Sequence, residues 1–173
     1  MKKALLAVPF VLVGALGLVI ATRPDRFTVT RGQGIPEIPQ AFVHETLVSL
    51  HTWPAWSHWG QVDRLVGSDL LEGPPAGVGA RWTWQKIRNR GRMGIELIRE
   101  TPDTVVFRII GDSSAQPTLT YSLAPGMVAA QFEGELALGG KLVSIVKSPE
   151  AVIAPSLERE LKLLAKQVGY VPP

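Results

Sequence analysis

The sequence predicts an α+β domain behind an apolar N-terminal segment. Segments with the two-residue alternation of strands fill the middle of the chain, an apolar face at helical spacing closes it, and an uncharged apolar run opens it. The 173 residues suit one folded domain, since 46% are hydrophobic and 19% charged. A net charge of +3 gives no reason to expect a nucleic-acid partner. The absence of cysteine excludes disulfides and thiol nucleophiles.

The N-terminal run, residues 4–22, follows two lysines and carries no charge. As a helix it reaches roughly 28 Å, about the thickness of a bilayer's hydrocarbon core. We therefore expect one transmembrane helix in an anchor of residues 1–22, with a cleaved signal segment as the alternative. Basic residues on both flanks nearly balance, but short N-terminal anchors usually keep their tail inside. The domain, residues 23–173, is expected on the extracytoplasmic side of the membrane.

The domain begins with a strand and a helix. Phe27 and Val29 alternate with threonines, which predicts a half-exposed strand. Pro39 is expected to open a helix and Pro54 to end it. The apolar face of this helix consists of Val43, Leu47 and Leu50.

Six strand-like segments come next, separated by Gly, Pro and Asp at the short intervals that antiparallel hairpins require. They are residues 61–66, 80–87, 92–98, 104–110, 117–123 and 127–136.

A long amphipathic helix ends the chain. Ser148 and Pro149 are typical of a helix start, and Pro155 should kink the helix. Its apolar face, at spacings of four, three and four, consists of Leu157, Leu161, Leu164 and Val168.

Five motifs, in this order, resemble landmarks of the SRPBCC superfamily, the START and birch-allergen-like helix-grip proteins that include polyketide cyclase/dehydrase relatives. The resemblance covers about residues 26–168, and the motifs are WPAWSHW at 53–59, GPPAGVGA at 73–80, GRM at 91–93, FEGEL at 132–136 and IAPSLE at 153–158. It implies a curved antiparallel sheet wrapped around the long C-terminal helix, with an apolar cavity between them. Many relatives also carry an N-terminal membrane anchor.

Strand parity indicates which side chains face this cavity, because alternate residues of a strand lie on opposite faces. An aliphatic side chain there is more often core than ligand contact, whereas an aromatic ring offers a larger contact area. The predicted ligand-binding residues are Trp56, Trp59, Trp82, Trp84, Met93, Phe107, Tyr121, Phe132, Leu157 and Leu161.

The tryptophans of the WPAWSHW motif have two interpretations. Trp53, Trp56 and Trp59 either form an aromatic gate at the mouth of the cavity or plug and anchor the loop, and the plug is favoured for Trp53.

The histidines and the paired glutamates do not indicate a metal site or a catalytic site. His44, His51 and His58 are seven residues apart, too far for one metal ion on a helix, so neither a metal nor another cofactor is expected. Glu133 and Glu135 share one face of a strand, and parity turns that face to solvent.

A basic segment carries Lys86, Arg88, Arg90 and Arg92. It either contacts anionic lipid headgroups or forms a solvated hairpin tip, and the sequence leaves both open.

These observations favour a membrane-anchored binding protein for a hydrophobic small molecule or lipid. A polyketide cyclase/dehydrase-like enzyme is the alternative, with Tyr121 as its only catalytic candidate, because no inward carboxylate or histidine is expected beside it. A membrane-tethered domain that binds a protein partner and has a filled core is the third hypothesis. Neither nucleic acid nor a cofactor enters any of them.

Overall fold

Seven antiparallel strands form one sheet in the computed structural model, which describes residues 22, 24–62, 69–85, 91–111, 116–136, 141, 144 and 147–170. The order across the sheet is β1-β7-β6-β5-β4-β3-β2. Neighbouring strands are therefore consecutive in sequence, except for β1 and β7. The strands are β1 (Arg26–Gly34), β2 (Leu70–Glu72), β3 (Arg81–Gln85), β4 (Arg92–Thr101), β5 (Thr104–Ile110), β6 (Thr118–Ala124) and β7 (Met127–Glu135).

Helices pack against one face of this curved sheet. They are α1 (Gln40–Val48), a 3-10 turn (Leu50–Thr52), α2 (Trp53–Trp56), α3 (His58–Val62) and the 19-residue α4 (Pro149–Gln167). Leu157, Leu161 and Leu164 of α4 join the sheet's buried residues in one core. The predicted α+β architecture is therefore confirmed.

The C-terminal helix starts as the sequence predicts. Ser148 accepts a hydrogen bond from the Ala151 N–H, and Pro149 occupies the first turn, where its missing N–H is not needed. The helix continues through Pro155 to Gln167. On its exposed side, Glu158 pairs with the Arg31 guanidinium of β1 at 2.9 Å, which joins the helix to the edge of the sheet.

Two local predictions are wrong. Gln61 was expected in a strand but lies in α3, because Ser57 Oγ accepts the Gly60 N–H and so caps a helix start. Pro54 does not end a helix: α1 already ends at Val48, and Pro54 lies in the first turn of α2. Residues 63–66 of the expected strand lie outside the described residues.

The GPPAGVGA motif forms the turn into β3. Gly73 has a φ of 80°, and a Cβ there would lie 2.3 Å from the Gly79 carbonyl oxygen. Only glycine fits that position without moving the backbone.

Residues 4–21 of the expected anchor and three of the four basic residues at 86–92 also lie outside the described residues. In the part of the chain that is described, no helix is long and apolar enough to span a membrane. The boundary at residues 22 and 23 stays a prediction.

Candidate functional site

The predicted ligand-binding residues lie on the sheet and on the helices packed against it, and all of them contribute to one core. Trp56, Trp82, Trp84, Phe107, Tyr121, Leu157 and Leu161 are buried. Trp59, Met93 and Phe132 are partly buried and pack against the same core. Their packing in one core agrees with the predicted placement, and ligand contact by these residues stays a prediction.

Trp53 fills part of this core. It is fully buried, and its ring centroid lies 4.9 Å from that of Phe107 and 6.2 Å from that of Tyr121. Its indole N–H donates to the Leu47 carbonyl at 3.0 Å, so its single polar group is satisfied. These contacts favour the structural plug over the gate for Trp53.

The other tryptophans divide into two kinds. Trp56 packs on Trp53 with centroids 5.1 Å apart and donates to Thr52 Oγ1, so its polar group is also used within the loop. Trp82 packs against Trp84 with ring centroids 4.5 Å apart and ring planes tilted by 41°, and Trp82 Nε1 is buried without a hydrogen-bond partner. Trp59 Nε1 is buried and unpartnered as well.

Glu160 of α4 is a buried carboxyl inside the core, with no exposed surface. Its Oε2 accepts the His58 N–H at 2.6 Å, and the Trp59 N–H also donates to the carboxyl. One carboxyl oxygen therefore caps the first turn of α3. The other oxygen, Oε1, is buried and has no partner.

Burial controls the ionisation of Glu160. Loss of water around the carboxylate raises its pKa from 4.5 to about 8, because desolvation outweighs the two backbone N–H groups that favour the charged form. At neutral pH the carboxyl is mainly protonated. Since Oε2 accepts the His58 N–H and Oε1 has no partner, the proton belongs on Oε1.

Tyr121 of β6 is the second titratable group on this interior. Its hydroxyl is buried without a partner, and burial followed by the nearby Glu160 charge raises the pKa of Tyr121 well above its usual value. Both groups are therefore neutral at pH 7, and each has an O–H to donate. A pair of this kind can bind an acceptor or transfer a proton.

The expectation that no inward carboxylate accompanies Tyr121 is therefore wrong. Glu160 lies three residues after Leu157 and four before Leu164, which is the spacing of one helix face. This position on the apolar face of the helix was the sign in the sequence that Glu160 is buried. An acidic side chain, however, usually predicts exposure to solvent.

The histidines and the paired glutamates lie elsewhere. His51 Nδ1 is 3.1 Å from the Pro75 carbonyl oxygen at the surface, and no group of three His, Asp or Glu side chains within the described ranges is placed to hold a metal ion. Glu133 and Glu135 are exposed, as parity predicts.

A surface groove of about 560 Å³ lies between α1 and the turn from β4 to β5. None of the predicted ligand-binding residues lines it. Its lining residues are Gln40, Ala41, His44, Glu100, Thr101 and Pro102.

Comparison with solved structures identifies the fold. Ginseng major latex-like protein 151 from Panax ginseng superposes with a TM-score of 0.59 at 16% identity, covering 86% of this chain and 100% of its own. The di-domain ARO/CYC StfQ of the steffimycin biosynthetic pathway gives 0.59 at 11% identity, over 82% of this chain and 50% of its own.

Norcoclaurine synthase from Thalictrum flavum gives a TM-score of 0.55 at 12% identity, over 83% of this chain and 86% of its own. A further structure of that synthase contains dopamine and hydroxybenzaldehyde. No protein-family model and no curated protein sequence matches the chain. At these identities the likeness establishes the helix-grip fold.

Proposed function

We propose that the protein binds a hydrophobic small molecule or lipid between the curved sheet and α4. The main support for this proposal is a set of polar atoms that are buried in the aromatic core and have no hydrogen-bond partner within the protein. They are Tyr121 Oη, Glu160 Oε1, Trp59 Nε1 and Trp82 Nε1. An unmade hydrogen bond of a buried group costs about 1–3 kcal/mol, so a ligand that pairs even one of them gains affinity as well as orientation.

Two further points support this proposal. Trp82 and Trp84 are buried with their ring planes tilted by 41°, and their large rings would give an apolar ligand a large contact area. A neighbour of the same fold, the norcoclaurine synthase, is known with small aromatic molecules bound.

Native mass spectrometry of the gently extracted full chain tests the proposal. We expect a co-purified hydrophobic compound, with lower occupancy in Trp84→Ala and unchanged occupancy in Met127→Ala, whose side chain is 53% exposed. Equal occupancy in both variants would mean that the compound lies outside the aromatic core.

Acid–base catalysis is the second candidate, and the specific observation behind it is Glu160. A buried carboxyl with a pKa of about 8, on the same interior as Tyr121, can give and take a proton near neutral pH, as a cyclase or dehydrase acting on a poly-β-ketone requires. Glu160→Gln and Tyr121→Phe would each lower turnover of such a substrate by about 10²-fold or more. Unchanged turnover in both variants would exclude this mechanism.

We further propose that residues 4–22 tether the domain to a membrane, with the domain on the extracytoplasmic side. Protease added to intact spheroplasts is then expected to remove the domain. Cleavage only after lysis would reverse the orientation, and release by osmotic shock would indicate a cleaved signal segment.

A further inference from the structure

We infer that Glu160 is a positioning residue, which sets the place of the Trp59 ring by holding the start of α3 and through that ring controls how tightly the ligand binds. The inference rests on the proposed binding function and gives Glu160 an effect on the ligand that needs no contact with it. Two observations support it: the hydrogen bonds at the start of α3, and the different surroundings of the three tryptophans in the WPAWSHW motif.

The N–H groups at the start of α3 are satisfied from two directions. The first N–H groups of any helix have no acceptor within the helix itself. Here the N–H groups of His58 and Trp59 donate to the Glu160 carboxyl of α4, with 2.6 Å between the His58 nitrogen and Oε2. The next one, of Gly60, donates to Ser57 Oγ. The first two N–H groups of α3 therefore depend on the C-terminal helix.

The position of α3 is fixed by its neighbours. The helix has five residues, and a helix of that length is not stable by itself. On one side it packs directly on the backbone of α2, because a Cβ at Gly60 would lie 2.8 Å from the Pro54 carbonyl oxygen. On the other side Glu160 binds its first turn. These two contacts hold the short helix between α2 and α4.

Trp59 is the tryptophan of the motif whose ring lies between the core and the surface. Trp53 is fully buried, and its indole N–H donates to the Leu47 carbonyl. Trp56 is buried as well, and its indole N–H donates to Thr52 Oγ1. Trp59 is partly exposed and packs against the core, and its Nε1 has no hydrogen-bond partner. Its N–H is therefore the one in this motif that a ligand can still pair.

The burial of Glu160 indicates what the carboxyl supplies. Glu160 has no exposed surface, and its Oε1 has no partner, so the side chain is costly at a helix position where leucine would pack without that cost. What leucine lacks is an acceptor for the two N–H groups of α3. Without an acceptor, we expect α3 to shift until water reaches these groups. Trp59 lies in that first turn, so its ring would move with the helix.

Fluorine NMR of the full chain labelled with 5-fluorotryptophan tests the position of the ring. The chain has five tryptophans, and Trp59→Phe identifies the signal of Trp59. We expect Glu160→Leu to shift or broaden this signal and to leave those of Trp82 and Trp84, on β3, nearly unchanged. Glu160→Gln keeps an acceptor oxygen for α3 and should retain the wild-type spectrum.

A titration with 2-acetylnaphthalene, followed by the same signals, tests the effect on binding. This probe has an apolar ring system and a carbonyl oxygen that can accept the indole N–H. We expect Trp59→Phe and Glu160→Leu each to weaken binding about fivefold, as the loss of one modest hydrogen bond would give, and Glu160→Gln to stay within about twofold of the wild type. The double variant of Glu160→Leu and Trp59→Phe should bind no more weakly than Trp59→Phe alone, because Glu160 acts through that ring.

Two further variants complete the experiment. Glu158→Leu makes the same change on the exposed side of the same helix and should leave the Trp59 signal and the affinity unchanged. Ser57→Ala removes the other side-chain acceptor at the start of α3, so it should also alter the Trp59 signal and weaken binding. If Glu160→Leu does not fold, Ser57→Ala decides the question, and a wild-type Trp59 signal in it would overturn the inference.

The outcomes distinguish this inference from the proposed function. If the ketone does not bind the wild type, the binding function fails for this class of ligand and the inference fails with it. If the ketone binds the wild type and Glu160→Leu equally, or if the Trp59 signal is the same in both, the binding function stands and the inference is overturned. Equal losses in Glu160→Gln and Glu160→Leu would also overturn it, because the carboxyl would then contact the ligand directly.

Discussion

Replacing Glu160 by glutamine should change how the stability of the protein depends on pH. The folded state holds the pKa of this carboxyl at about 8, against 4.5 for the unperturbed group. Between these values the folded state binds a proton that the unfolded state has released, so the free energy of unfolding falls as pH rises. The contribution is complete below pH 4.5 and lost as pH passes through about 8.

The size of the effect follows from the difference in pKa. About 3.5 pKa units at 1.36 kcal/mol each correspond to roughly 5 kcal/mol. This is an upper value, since water entering the interior on ionisation would reduce it. Glutamine cannot ionise and keeps an oxygen for the His58 N–H, so Glu160→Gln should lose far less stability between pH 5 and 9.

Urea unfolding followed by tryptophan fluorescence measures this difference at several pH values. We expect Glu160→Gln to be more stable than the wild type at pH 9 by several kcal/mol, and the two proteins to be about equally stable near pH 5. Glu158→Gln removes an exposed carboxylate that pairs with Arg31, so its stability should lie within about 1 kcal/mol of the wild type and keep the same dependence on pH between 5 and 9. Parallel curves for the wild type and Glu160→Gln would refute the raised pKa as the cause.

Three other predictions concern packing, the turn before β3 and the basic segment. Trp53→Ala should lower the free energy of unfolding by about 3–5 kcal/mol in a urea titration, because a fully buried indole leaves a cavity. A smaller loss, below about 1 kcal/mol, would count against the plug. Gly73→Ala should destabilise by about 1–3 kcal/mol, since its Cβ would collide with the Gly79 carbonyl, whereas Gly34→Ala, with no atom within 4 Å, should cost under about 1 kcal/mol. Neutralising the four basic residues of segment 86–92 should weaken binding to acidic liposomes in a salt-dependent way, and equal binding of wild type to neutral liposomes would contradict headgroup contact.

Strand periodicity made the sheet predictable, and β6 illustrates why. Apolar and polar residues alternate from Thr118 to Ser122, and the structure buries Leu119, Tyr121 and Leu123 while the residues between them are half-buried or exposed. Burial on one face of a sheet has a period of two, so the apolar pattern fixes which side chains turn inward. The three-residue β2 is too short for such a pattern to be visible.

The candidate site was only half predictable for a related reason. Tyr121 is an aromatic residue at an inward strand position, so its type and its position agree. Glu160 is an acid at an inward helix position, and its type argues against its position. The contact that stabilises it comes from α3, a helix of five residues whose N–H groups a sequence pattern does not reveal. Functional sites are where such conflicts between residue type and position are expected.

The carboxyl shared by α3 and α4 has a consequence for how the chain folds. His58 and Glu160 are 102 residues apart in sequence, and the salt bridge from Arg31 to Glu158 closes a loop of 127. Contacts at such separation carry a large loop-closure entropy and form slowly. During synthesis the start of α3 emerges long before its carboxyl acceptor. The first helix turn after Ser57 is therefore completed late, when the C-terminal helix docks onto the sheet.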